Sequence, residues 1–207
     1  MHYRPILPVI PILILLVFGC KKDDSEPIDS RVIFEEYFDN NNLQWPEFED
    51  EHGSAGVANG KYYFENKVAD TNMIYSFYLY KDITRESYSI ETNIECIEAG
   101  PDFKYGIEWQ RKDGYNYHYM LISDHSYYVG YVYNYSYCTI QPWTESDNIG
   151  GLGCPNKIEI VKQLSHFSIR FNDVEIFNYE ASIVVGNEVG FLLNSTGKIG
   201  IDYFKIY

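Results

Sequence analysis

The chain has 207 residues, with 16 Lys and Arg against 30 Asp and Glu, a formal charge of −14, and its aromatic residues are 21 Tyr against 12 Phe and 3 Trp. Hydrophobic residues at 45% and charged residues at 22% describe a folded globule rather than a disordered tail. Acidity of this size argues against nucleic acid or an anionic membrane face as partner, since both repel it, and leaves cations, basic proteins and neutral ligands such as glycans.

Met1 to Arg4 is a short leader with one positive charge, and Ile6 to Phe18 is apolar but broken by Pro8 and Pro11. The longest clean run, Ile12 to Phe18, is far short of the ~20 residues a spanning helix needs, so residues 1–19 are predicted to be a signal peptide. The run ends in Gly19-Cys20, which resembles the lipobox of bacterial lipoproteins; Phe18 is bulkier than the usual Ala or Ser. The resemblance implies that Cys20 is acylated and begins the mature chain. Lys21-Lys22-Asp23-Asp24-Ser25-Glu26 resembles the charged export tag of surface lipoproteins in some Gram-negative bacteria. Residues 20–30 then form a lipidated tether, and the membrane is a partner through that anchor only. The implied address is the outer membrane, exposed at the cell surface, with the periplasmic leaflet as the alternative.

From residue 31 to 207 the hydrophobic period is two, which predicts strands. In Tyr88–Cys96, the residues Tyr88, Ile90, Thr92, Ile94 and Cys96 share one face and Ser89, Glu91, Asn93 and Glu95 the other, as in a strand with one buried side. Similar runs are predicted at 32–38, 61–65, 73–80, 103–111, 115–123, 127–135, 157–163, 166–171, 175–179, 188–193 and 198–207. Turn residues separate them, among them Asn59-Gly60, Asp113-Gly114, Asn172-Asp173 and Thr196-Gly197. About a dozen short strands without a helical stripe predict an all-β, two-sheet antiparallel β-sandwich of the jelly-roll type, with a closed barrel as runner-up. Neither repeat nor linker divides this domain. With Cys20 used by the anchor, Cys138–Cys154 is the better disulfide pair, because Cys96 has the parity of a small core residue.

The order of motifs carries a further resemblance. Phe38-Asp39, Tyr105-Gly106-Ile107-Glu108-Trp109, Asp113-Gly114-Tyr115-Asn116-Tyr117 and Pro142-Trp143-Thr144-Glu145-Ser146 are followed by Asn156-Lys157-Ile158-Glu159-Ile160, Phe171-Asn172-Asp173-Val174-Glu175-Ile176, Glu188-Val189-Gly190-Phe191 and Ile201-Asp202-Tyr203-Phe204-Lys205-Ile206. Over residues 32–207 this series resembles the concanavalin A-like lectin/glucanase superfamily, in particular its laminin-G-like and 3-keto-disaccharide-hydrolase-like domains. The resemblance implies a sandwich with one concave sheet on which many members hold glycans; the fold itself does not fix the function.

Three constellations are candidates for chemistry. Glu91-Thr92-Asn93-Ile94-Glu95 resembles the Glu-x-Asp-x-Glu strand of laminarinase-type glycosidases, but Asn93 stands where that motif has Asp. Glu91 and Glu95 also lie about 13 Å apart along an extended strand, against the about 5–5.5 Å between carboxyl groups of a retaining pair. A solvated strand face is the expectation there. If Tyr105, Ile107 and Trp109 face the core, Glu108 and Gln110 face out. If Tyr117, Tyr119 and Leu121 face the core, then Asn116, His118 and Met120 face out beside them. Glu108, Gln110 and His118, with Glu91 and Asn93 and an aromatic rim at Trp143, would then bind sugar hydroxyls and a pyranose ring. A glycoside-cleaving role through Glu108 with His118 or Glu91 is one alternative, and a protein contact through the Tyr-rich run 127–135 is another. No cofactor is expected except a structural Ca²⁺, for which fold-level analogy offers Asp39 and Asp202 with Glu35 or Glu36, should the first and last strands pair.

Overall fold

The computed structural model describes residues 32–69, 72–78, 86–181 and 186–207, with residues 73–78 in their backbone only. The predicted signal peptide, the expected acylation site Cys20 and the predicted tether lie outside the described residues. All regular structure among the described residues is strand, in two antiparallel sheets, as the period-two pattern predicts.

The strands are β1 (Phe34–Glu36), β2 (Phe48–Glu49), β3 (Gly53–Ala58), β4 (Lys61–Asn66), β5 (Asn72–Tyr78), β6 (Ser87–Ala99), β7 (Lys104–Asp113), β8 (Asn116–Ser123), β9 (Ser126–Tyr133) and β10 (Ser136–Glu145). They continue with β11 (Pro155–Gln163), β12 (His166–Phe171), β13 (Val174–Glu180), β14 (Glu188–Asn194) and β15 (Gly197–Ile206). One sheet has nine strands in the order β13-β12-β11-β6-β15-β4-β3-β2, with β1 also paired to β15; the other has six in the order β10-β9-β8-β7-β14-β5.

The turns follow from the residues in them. Asn59-Gly60, Asn134-Tyr135 and Asn172-Asp173 all have positive φ, the conformation of two-residue hairpin turns whose twist matches the strands they join. Between the sheets, alternate residues close a single core. Tyr88, Ile90, Ile94, Ile158, Ile160, Phe167, Ile169, Ile199 and Ile201 come from the nine-stranded sheet, and Ile107, Trp109, Met120, Ile122, Val129, Phe191 and Leu193 from the other. At one end Phe38, Trp45 and Tyr62 pack together as a plug, Phe38 stacked on Tyr62 and edge-on to Trp45. Glu36 holds the plug by accepting from the Tyr37 and Phe38 amides and from Trp45 Nε1.

Three strands escape the sequence pattern. β2 is two residues long, β3 is built of small residues, and β10 is an edge strand with no buried position and Pro142 inside it. β10 also slips register against β9 twice, between Thr139 and Gln141 and between Gln141 and Thr144.

Candidate functional site: a tyrosine-lined cleft on the six-stranded sheet

The outer face of the six-stranded sheet is legible row by row from its register. Tyr117 lies opposite Val132, and Val132 opposite Tyr137; Tyr119 lies between Glu108 and Gly130; Leu121 lies between Gly106 and Tyr128. At the far end Lys104, Asn194 and Asn72 stand side by side on β7, β14 and β5, where Asn194 donates to the Asn72 carboxamide oxygen. Tyr117, Tyr119, Leu121, Tyr128 and Tyr137, with that polar trio, Leu192 and Trp143, line a cleft of about 310 Å³, at the small end of ligand pockets. Trp143 is 42% and Tyr137 73% exposed, so two rings stand at the rim.

Glycine at 130 is what lets the rings lie down. A Cβ there would meet both the Tyr119 and Tyr128 rings at 2.9 Å, so a larger residue would push them off the sheet. Tyr128 packs against Tyr119 at 5.8 Å and against Trp143 at 5.7 Å between ring centres, and its hydroxyl is bonded to Thr139 Oγ1 at 2.8 Å. Burial pushes the Tyr117 phenol up to about 12. The Tyr119 phenol is raised in the same direction by burial and by its bond to Tyr128. Both therefore remain neutral O–H groups able to donate and accept.

The structure scatters the residues expected to form the site. Only Trp143 lies at the cleft rim. His118 is 1% exposed and points inward, stacked between Trp109 and Phe167 with ring centres at 5.8 and 5.6 Å, its Nδ1 3.3 Å from the Tyr179 hydroxyl. The expected parity of β8 is thus reversed: His118 and Met120 join the core, and Tyr117, Tyr119 and Leu121 face out. Gln110 is 3% exposed. The ladder is irregular between Trp109 and Asp113, and Gln110, with φ of 50°, turns inward toward the Tyr88 hydroxyl. Glu108 does face outward but is 0% exposed, its Oε1 accepting from Arg111 Nη1 at 2.7 Å. Arg111 lies over the Tyr117 ring at 5.7 Å. Glu108 and His118 therefore occupy opposite faces of one sheet and do not meet as an acid–base pair.

Glu91 and Asn93 belong to the other sheet. On its outer face Lys157 lies 3.2 Å from Glu91 and 2.8 Å from Asp173, and Lys61 lies 2.7 Å from Glu95 and 2.9 Å from Asp202. Asn93 Nδ2 donates to Asp202 at 2.9 Å. The Glu-x-Asn-x-Glu strand is a ladder of ion pairs, not a catalytic strand facing the cleft. β1 does pair with β15, the premise of the calcium expectation. Asp202 is nevertheless taken by Lys61 and Asn93, Asp39 is exposed, and the described residues hold no group of three or more His, Cys, Asp or Glu fit for a metal ion. Cys96, Cys138 and Cys154 are free thiols, so the expected Cys138–Cys154 bond is absent.

The cleft tyrosines were missed because β8 is apolar or aromatic at both parities. A signal was present nonetheless. His118, Met120 and Ile122 carry less hydroxyl than Tyr117 and Tyr119, and phenols seek partners at a wet face.

No protein-family model matches the chain, and no curated protein matches it in sequence. Among solved structures the fold is shared by several sandwiches. A β-glucanase from Bacillus licheniformis superposes with a TM-score of 0.60 at 9% identity, over 84% of this chain and 96% of that one. A glycoside hydrolase family 16 endo-glucanase from Bacteroides ovatus gives 0.59 at 11%, over 85% and 100%. A protein of unknown function with a galectin-like fold from Bacillus subtilis gives 0.58 at 8%, over 85% and 95%. At these identities the likeness is one of fold: the two-sheet jelly roll.

Proposed function

We propose that the domain binds carbohydrate in the tyrosine-lined cleft, and that acylated Cys20 holds it in the outer membrane with the domain at the cell surface. The observation that carries the binding reading is the cleft itself, in which Trp143, Tyr137 and Tyr128 offer flat faces and Tyr117 and Tyr119 offer neutral hydroxyls, with Lys104, Asn72 and Asn194 at one end. A pyranose presents C–H groups to an aromatic face and hydroxyls at its edge, and this lining answers both. The strong negative charge favours a neutral or weakly charged glycan.

The test is a glycan array on the purified chain, with calcium and with chelator, together with Trp143→Ala and Tyr137→Ala. Each substitution is expected to weaken binding at least ~10-fold, which is 1.4 kcal/mol; unchanged affinity in both, or no glycan bound in either condition, overturns the reading. For the anchor, incorporation of labelled fatty acid is expected in the native chain and absent in Cys20→Ser.

A protein contact at the same surface is the second reading. It is favoured by Tyr133 and Tyr135, exposed beyond the cleft, and by Tyr115, whose ring lies 3.9 Å from that of Tyr135. It predicts a co-purifying partner that Tyr135→Ala releases.

A further inference from the structure

The free thiols are not equally placed. β11 runs against β6 with Asn156 opposite Ile94 and Pro155 opposite Glu95, where the ladder ends one step short of Cys154 and Cys96. The chains are still adjacent there, but the Gly153 amide donates to the Cys96 carbonyl at 2.8 Å where continued register would use that of Cys154, so Gly153, with φ of 75°, bulges and shares with Cys154 the place opposite Cys96. Alternation gives Cys154 the side of buried Asn156, and Cys96 the side of buried Ile94. Gly150 marks that side. Its amide donates to Asn156 Oδ1 at 2.7 Å, and a Cβ on it would lie 2.7 Å from Cys154 Cβ. The Tyr105 phenol, bonded to Asn156 Nδ2 at 3.1 Å, is influenced by both thiols.

We propose that Cys96 and Cys154 form a disulfide, stapling the C-terminal half of β6 to the start of β11, and that Cys138 is the thiol left free. Opposed residues of an antiparallel pair have Cβ atoms about 4.5–5.5 Å apart, and a disulfide holds them at about 3.5–4.5 Å, so closure needs Cys154 to settle from its place in the bulge toward Cys96. Cys138 has no such neighbour, since β10 is the edge of the other sheet and sets it opposite Tyr131.

Cys154 is exposed, and a cleft of about 330 Å³ lined by Cys96, Tyr105, Gly150 and Gly151 opens beside the pair. Burial, reinforced by Glu95, pushes the Cys96 thiol up to about 11, so Cys154 is the first to react. Its thiolate attacks the disulfide of an oxidant, a dithiol–disulfide oxidoreductase or oxidised glutathione, giving a mixed disulfide and releasing one oxidant thiolate. Cys96 then loses its proton, attacks Cys154 Sγ and releases the second; two electrons and two protons pass to the oxidant. The bond requires an oxidising compartment, the one the signal segment predicts.

The test is to equilibrate the folded full chain with oxidised glutathione, alkylate it in denaturant without reduction, and map the peptides. The Cys96 peptide is expected joined to the Cys154 peptide and short by two hydrogens, with Cys138 alkylated. Cys154→Ser, at an exposed position, is expected to lower the Tm of the oxidised protein by about 5–10 °C, a difference that reductant abolishes; Cys138→Ala is expected to change neither the link nor the Tm. Alkylation of both Cys96 and Cys154 after oxidation, or a bond from either to Cys138, overturns the proposal.

Discussion

On the outer face of the nine-stranded sheet, basic side chains stand beside acids: Lys61 with Glu95 and Asp202, Lys157 with Glu91 and Asp173, Arg170 with Glu159. On the outer face of the six-stranded sheet the polar atoms belong largely to tyrosines, and rings rather than charges meet the solvent at Tyr137 and Trp143. Both faces come from the same alternation of buried and wet positions. What differs is whether the wet groups satisfy one another. A charged ladder consumes its own donors and acceptors, whereas a phenol, with one donor and two acceptor sites, retains capacity beyond the one or two bonds it holds here. A strand with three polar side chains in register is therefore a poorer guide to a binding face than a strand of tyrosines.

The comparison breaks most visibly at Glu108, the one fully buried carboxylate on the aromatic face among the described residues. Arg111 is partly exposed and keeps Glu188 at 3.6 Å, so Glu108→Ala is expected to cost about 2 kcal/mol of stability in denaturant titration, between the values of an exposed and a fully buried pair. A loss below about 1 kcal/mol, the value of an exposed pair, would show that Arg111 does not depend on it.

Gly130→Ala sharpens the comparison at the level of shape. The added methyl displaces the free ends of the Tyr119 and Tyr128 rings, contacts that side chains can relax. Stability is expected to fall by no more than about 1 kcal/mol, while glycan affinity falls ~10-fold, or about 1.4 kcal/mol. Equal loss in both would place the glycine's role in packing alone.

The smallest effect belongs to the ladder. Lys61→Met is expected to cost at most about 1 kcal/mol, a difference that high salt erases, with glycan affinity unchanged. The pH dependence has the same sign on both faces. The bond to Glu95 holds Lys61 above the ordinary lysine range, so the stability of that pairing is complete below the unfolded lysine pKa and is lost as pH rises through the higher folded value. Tyr117, raised from 10.0 to about 12 by burial, contributes stability that is complete below pH 10 and lost as pH approaches 12. Stability followed with phenolate absorbance is expected to be level up to pH 10 and to fall above it, and Tyr117→Phe is expected to flatten the fall.

The architecture was legible because most of its strands pay for one wet face in alternating residues, as Tyr88 to Cys96 do, and because Asn-Gly and Asn-Asp turns mark the hairpins. The cleft was not. In β8 a tyrosine row and an aliphatic row compete for the interior, and hydrophobicity alone does not rank Tyr119 against Met120. Gln110 escaped for another reason: alternation counts one residue per step, and after Trp109 three residues of β7 stand against one of β8. Glu91 and Asn93 face outward as alternation requires, but their partners, Lys157 and Asp202, come from distant strands that local spacing does not reveal.

The irregular course of β10 has a consequence for the molecule among its own copies. An open edge strand offers unpaired amides and carbonyls to any strand that can match its spacing, and this one carries the exposed rings that would make such a match adhesive. Two register slips and a proline within ten residues deny it that spacing. A second copy arriving at this edge finds no straight run on which to extend the sheet, and the aromatic surface stays available to smaller guests without seeding a fibre.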